Sequence, residues 1–84
     1  MWQYKILEVT TPNLNTLRIA FMLQRDGVDY VGDEVVFMSN ELTGTANEKK
    51  AAINLKIRAK CFEYVAMYNY KVALESLIGT VIEV

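Results

Sequence analysis

The chain has 84 residues, a formal net charge of −1, a single cysteine and no histidine. A chain of this size forms one domain with a small core, and Cys61 alone can supply neither an internal disulfide nor a Cys/His zinc site. The near-zero charge offers no general attraction to nucleic acid or acidic membranes, and no run of about 18 apolar residues is present to span a bilayer.

Met1-Trp2-Gln3-Tyr4-Lys5 has neither the charged leader nor the apolar run of a signal peptide, so a cytosolic setting is expected. Tyr4 to Thr10 is a short apolar and β-branched run closed by the turn formers of Thr11-Pro12-Asn13-Leu14-Asn15, which reads as a first strand. From Thr16 to Arg25 every odd position from Leu17 to Leu23 is large and apolar, the period-2 pattern of a strand with one buried face. Asp26-Gly27 suits a type I′ turn and predicts a tight hairpin into a third strand over Val28 to Ser39. Simple pairing across that turn would set Glu34 opposite Ile19. One extra residue, predicted at Gly32, brings Val35 opposite Ile19 and Phe37 opposite Leu17.

After Gly44 the period changes. Thr45-Ala46-Asn47-Glu48 has the spacing of a capping box, and the helix it opens is predicted to run from residue 46 to about Ile78, with Gly79 as its left-handed stop. Thr80 to Val84 reads as a short terminal strand. The fold class expected is therefore α+β, a single domain over residues 1–84. An antiparallel three-stranded β-meander over about residues 4–39 precedes one long helix and a short last strand.

On a 100° wheel Leu55, Ala59, Phe62, Ala66, Ala73 and Leu77 form the stripe expected to lie on the sheet, with Lys49, Lys56, Lys60 and Glu63 on the opposite side. Such a helix is about 50 Å long against strands of about 30 Å. It must break, near Asn69, or project beyond its sheet. From Tyr64 to Ile78 it is apolar nearly all round, and the reverse face of the sheet is expected to carry Tyr4, Ile6, Ala20, Met22, Val36 and Met38. Apolar surface on this scale marks an interface, and Tyr64, Met67, Tyr68, Leu74, Ile78, Met22 and Met38 are its candidate residues.

Nothing in the chain calls for catalysis. Asp26, Asp29, Asp33 and Glu34 crowd the hairpin, but without the spacing of a calcium loop they read as solvated turn carboxylates. Lys49, Lys50, Lys56, Arg58 and Lys60 make the front of the helix basic, yet they spread round the wheel with no aromatic platform among them, so nucleic acid is not an expected partner. Cys61 reads as a small buried hydrophobe. No phosphate loop or Ser/His/Asp set occurs, so no enzyme activity, cofactor, metal or small-molecule substrate is expected.

The meander, then Thr45-Ala46-Asn47-Glu48-Lys49-Lys50-Ala51-Ala52-Ile53 opening a long Ala/aromatic helix, and the ending Leu77-Ile78-Gly79-Thr80 resemble small structural proteins of tailed-bacteriophage virions. The resemblance covers most of the chain and is one of pattern. It implies a repeated component of capsid, neck or tail, assembled in the host cytoplasm and partnered by copies of itself or by other virion proteins. It transfers no site residues. The alternative from another class is a small phage-encoded regulatory protein that inhibits a host factor by docking through its acidic hairpin or apolar helix.

Overall fold

The structure is a computed structural model and describes residues 1–84. Strands β1 (Trp2–Asn13), β2 (Thr16–Arg25) and β3 (Val28–Met38) form one antiparallel sheet in that order. One turn of 3₁₀ helix (Ser39–Glu41) and a single long helix, α1 (Ala46–Glu75), complete the fold. This is the α+β meander-and-helix architecture the periodicities predict.

The middle strand is the centre of the core. Ile19, Phe21 and Leu23 on its odd face are buried, joined by Val35 and Phe37 from β3 and by Ile57 and Cys61 from α1. Asp26 and Gly27 both adopt positive φ, +51° and +80°, as a type I′ turn requires. Beyond the turn Gln24 pairs with Asp29 but Leu23 pairs with Val31, so the extra residue is Tyr30. The expected phase is therefore present, with Ile19 opposite Val35 and Leu17 opposite Phe37, but the bulge sits at Tyr30 and not at Gly32. Gly32 pairs normally with Met22 and has no left-handed φ. The aromatic rings account for the shift. Tyr30 meets Trp2 and Tyr68 edge-on at 5.0 and 5.5 Å between centroids, and Trp2 meets Tyr68 at 5.2 Å. Contacts of this kind add stabilisation beyond the area they bury.

β1 extends past the predicted strand at both ends. Pro12 is tolerated because β1 is an edge strand and Thr11 and Pro12 fall in a gap of its register. Tyr4 pairs with Leu23 and Ile6 with Phe21, which places both on the helix-bearing face and corrects their assignment to the reverse. The reverse face does hold Ala20, Met22, Val36 and Met38. It also holds Lys5, Glu8 and the Arg18–Glu34 ion pair (3.4 Å), so it is mixed in character.

The helix start is as predicted. The Thr45 hydroxyl accepts the Glu48 N–H at 3.2 Å, and the Glu48 carboxylate accepts the Thr45 N–H at 3.4 Å. Gly44, at φ +89°, leaves room for that carboxylate, which lies 2.7 Å from where a Cβ would stand. The face laid on the sheet differs from the predicted one. Ile53, Ile57, Cys61, Tyr64 and Val65 pack inward and Tyr68 meets the Trp2 and Tyr30 rings, whereas Leu55 (71% exposed) stands on the far side and Phe62 (61%) at the rim of a groove beside β1. Of the three lysines expected in solvent, Lys49 is exposed but Lys56 and Lys60 flank the buried stripe and reach β3. The Lys56 ammonium sits 4.5 Å from the centre of the Phe37 ring and donates to the Val36 carbonyl at 2.6 Å.

The helix is unbroken at Asn69, ends at Glu75 rather than Ile78, and is about 45 Å long. Gly79 does take the left-handed conformation, φ +79°, four residues beyond the helix. Every residue after Tyr68 is exposed, so the far end of α1 projects past its own sheet. Thr80 to Val84 form no strand, because the projection carries them away from any edge with which they could pair.

Thr45→Ala is expected to lower stability by about 1 kcal/mol through loss of the cap acceptor. Gly32→Ala is expected to leave the melting temperature unchanged or raise it, since the new methyl would meet only the flexible end of Met22 at 3.4 Å. Thermal melts of the two variants beside the native chain check both signs.

Candidate functional site

Three features stand out from the fold: a polar cluster at Asp33, a groove between β1 and α1, and the projecting end of α1. Asp33 faces inward because the bulge puts it opposite Phe21 on the helix side of β3. There its carboxylate accepts the Tyr64 hydroxyl, the Glu34 N–H at 2.7 Å and the Lys60 ammonium at 3.4 Å. The Tyr64 hydrogen bond, aided by the Glu34 N–H and Lys60, holds the Asp33 carboxyl below the usual carboxylate range against an opposing effect of burial. The same bond, with burial, pushes the Tyr64 phenol up.

The other hairpin carboxylates point elsewhere. Asp29 accepts from the Gln24 amide at 2.6 Å, Glu34 pairs with Arg18, and Asp26 lies 3.2 Å from the Met1 amino group. They do not converge, and no group of three His, Cys, Asp or Glu side chains is placed to hold a metal ion. Asp33 is thus a clamp that ties the edge strand to the helix. The sequence signal for it was the bulge phase itself, which sets Asp33 on the inward face between Val31 and Val35.

The groove, about 310 Å³, is lined by Trp2, Gln3, Tyr4, Leu23, Arg58, Cys61, Phe62 and Val65. The Tyr4 hydroxyl donates to the Asn54 side chain, and Arg58 stacks on Phe62 at 5.5 Å. Burial pushes the Cys61 thiol up, away from the reactive thiolate. An apolar trough edged by one guanidinium can receive apolar surface, but it brings no nucleophile beside a base.

The candidate interface residues divide into two sets. Tyr64 and Tyr68 are half-buried and engaged within the chain, by Asp33 and by the Trp2–Tyr30 rings respectively. Met67 (66% exposed), Leu74 (58%) and Ile78 (81%) stand in solvent on the projecting end. Met22 is half-buried and Met38 exposed, both on the mixed reverse face. No helix is long and apolar enough to cross a membrane. No protein-family model, curated protein or solved structure matches the chain.

The Asp33 clamp gives a pH dependence of defined sign. A carboxyl whose folded pKa is depressed contributes stability that is fully present above its unfolded value of about 3.9 and is lost as pH falls through the folded pKa. Asp33→Asn is therefore expected to be less stable than the native chain at neutral pH. Its stability is expected to fall less steeply below about pH 4, as read from urea midpoints across that range.

Proposed function

We propose that the chain is a non-enzymatic assembly protein that acts through protein–protein contacts, as a repeated component of a tailed-phage virion put together in the host cytoplasm. The observation that supports this is its surface. The solvent-accessible area is 6460 Å², whereas a compact monomer of 9.6 kDa exposes about 5,100 Å². The radius of gyration, 17.3 Å, compares with about 12 Å for a globular chain of this length. Apolar residues at the projecting end of α1 and just beyond it contribute to the surplus: Met67, Tyr70, Val72, Leu74, Leu77 and Ile78 are all exposed. Exposed apolar surface of this extent is characteristic of a subunit whose neighbours cover it.

The charged groups nearest the core are already occupied. Asp33, Lys56 and Lys60 hold strand to helix, which leaves shape and apolar area as what the chain offers a partner.

Leu74→Lys separates contact from core. Because Leu74 is exposed, the isolated fold is expected to lose no more than about 0.5 kcal/mol. A lysine brought into an apolar contact must be desolvated without a counter-charge, so association is expected to be lost. Circular dichroism and light scattering on the purified variant, with its copy number in purified particles, check this. A variant with unaltered mass and unaltered incorporation would overturn the reading, as would a native chain that binds one soluble target and enters no particle.

A further inference from the structure

The two edges of the sheet are not alike. Along β3 three backbone groups are held by side chains: the Glu34 N–H donates to the Asp33 carboxylate, the Val36 carbonyl accepts from the Lys56 ammonium, and the Met38 N–H donates to the Glu41 carboxylate. Along β1 no side chain holds a backbone group, and no strand lies on its outer side. Its middle is exposed from Lys5 to Val9, with Ile6 at 50%, Leu7 at 51% and Val9 at 57%. An edge that is long, open and apolar is a template for a further strand.

We propose that β1 pairs with β1 of a second copy, antiparallel about a two-fold axis between Ile6 and Leu7, so that the two sheets join into one. The pairing gives the assembly reading above a first partner, on a surface apart from the helix end. Lys5 and Glu8 are the only charged residues of β1, and neither forms an ion pair within the chain. In a regular strand their spacing would put them on opposite faces. The register shift between Ile6 and Glu8 changes that: Lys5 pairs with Met22 and Glu8 with Ala20, so both stand on the reverse face. Antiparallel pairing about this axis sets Lys5 of each copy opposite Glu8 of the other, an attractive cross-strand pair made twice.

The other pairs agree in face. Tyr4 and Val9, which meet across the axis, both belong to the helix-bearing side, and Gln3 and Thr10 both to the reverse. A bulge commonly turns an edge away from pairing, but here it lies on the axis in both copies, so the ladder keeps phase on either side of it. Pro12, which has no N–H to give, falls beyond these pairs. An in-register parallel pair would set Lys5 beside Lys5 and Glu8 beside Glu8. Joining β1 to β3 of another copy would grow without closing, and it would meet the side chains that hold the β3 edge. Because α1 leaves the fold past Trp2, where Tyr68 docks, antiparallel pairing sends the two projecting helix ends out at opposite ends of the joined sheet.

Sedimentation equilibrium on the full chain tests the pairing, and the native chain is expected to be a dimer. Lys5→Glu and Glu8→Lys each set like charges opposite one another twice, and each is expected to associate about tenfold more weakly. The two changes together restore opposite charges and are expected to restore the native affinity. Both sites are exposed, so all three variants are expected to keep the native circular dichroism. Register is read by disulfide trapping: an oxidised mixture of Lys5→Cys and Glu8→Cys chains is expected to give a linked dimer that neither variant gives alone. A native chain that stays monomeric, single reversals that associate as the native chain does, or a double variant no tighter than the single ones overturns the proposal. Self-linking by Lys5→Cys alone overturns the register. Leu74→Lys is expected to keep the pair, so a dimer that it dissolves while both reversals are silent belongs to the helix end, which overturns the edge pairing. A native chain that is monomeric alone, with β1 amides protected from exchange only in particles, would assign the edge to another chain, overturning the self-pairing and leaving the assembly reading standing.

Discussion

The fold depends on one contact, the seating of Ile57 and Cys61 on the inward face of the middle strand. Only β2 has a hydrogen-bonded neighbour on both sides, and only its odd face is buried along its length, at Ile19, Phe21 and Leu23. Seven residues in all are buried and all belong to this one layer, with partly buried side chains such as Trp2, Tyr4, Ile53 and Val65 packed round it. A core so small leaves little margin for substitution. The other contacts of α1 with the sheet work at the margins of that layer. Lys56 and Lys60 hold its β3 side, the Tyr4–Asn54 hydrogen bond its β1 side, and the Trp2–Tyr30–Tyr68 rings its hairpin end.

A mismatch of length shapes everything beyond that layer. A 30-residue helix on strands of 10 to 12 residues cannot be covered by its own sheet, and the chain meets the mismatch by projecting rather than by bending. Asn69 is a weak helix former, but one such residue costs a fraction of a kcal/mol, less than the hydrogen bonds a break would leave open. The molecule therefore extends over 55 Å in its longest direction and only 22 Å in its shortest.

Much of this was legible in the residues. The alternation from Leu17 to Leu23, the Asp26-Gly27 turn and the Thr45/Glu48 box each act through neighbours a few positions away, and each has the structure it predicts. What depended on distant partners was harder to read. The bulge was needed to bring Val35 over Ile19, but its place at Tyr30 follows from Trp2 and Tyr68, which lie 28 and 38 positions away in sequence. The helix has two apolar sides, and the wheel could not say which one the sheet would take. Lysine misled the choice, because a charged end was read as a solvent-facing side chain while its stem lies against Phe37. The apolar stripe read from Leu55 and Phe62 exists. It is exposed rather than laid on the sheet.

The last docked ring, Tyr68, also divides the molecule by the ease with which it opens. Short helices are marginal in water on their own, so the turns beyond Tyr68 borrow their order from the docked turns before them. Amide protons of β2 open only when the whole sheet does, whereas those past Asn69 can exchange by fraying of the free end without disturbing a single core side chain. A partner that clasps the helix there adds few new contacts to the sheet. Its effect is to join the free end to the cooperative unit that β2 anchors, so that a chain with two tiers of protection when alone becomes one with a single tier when assembled.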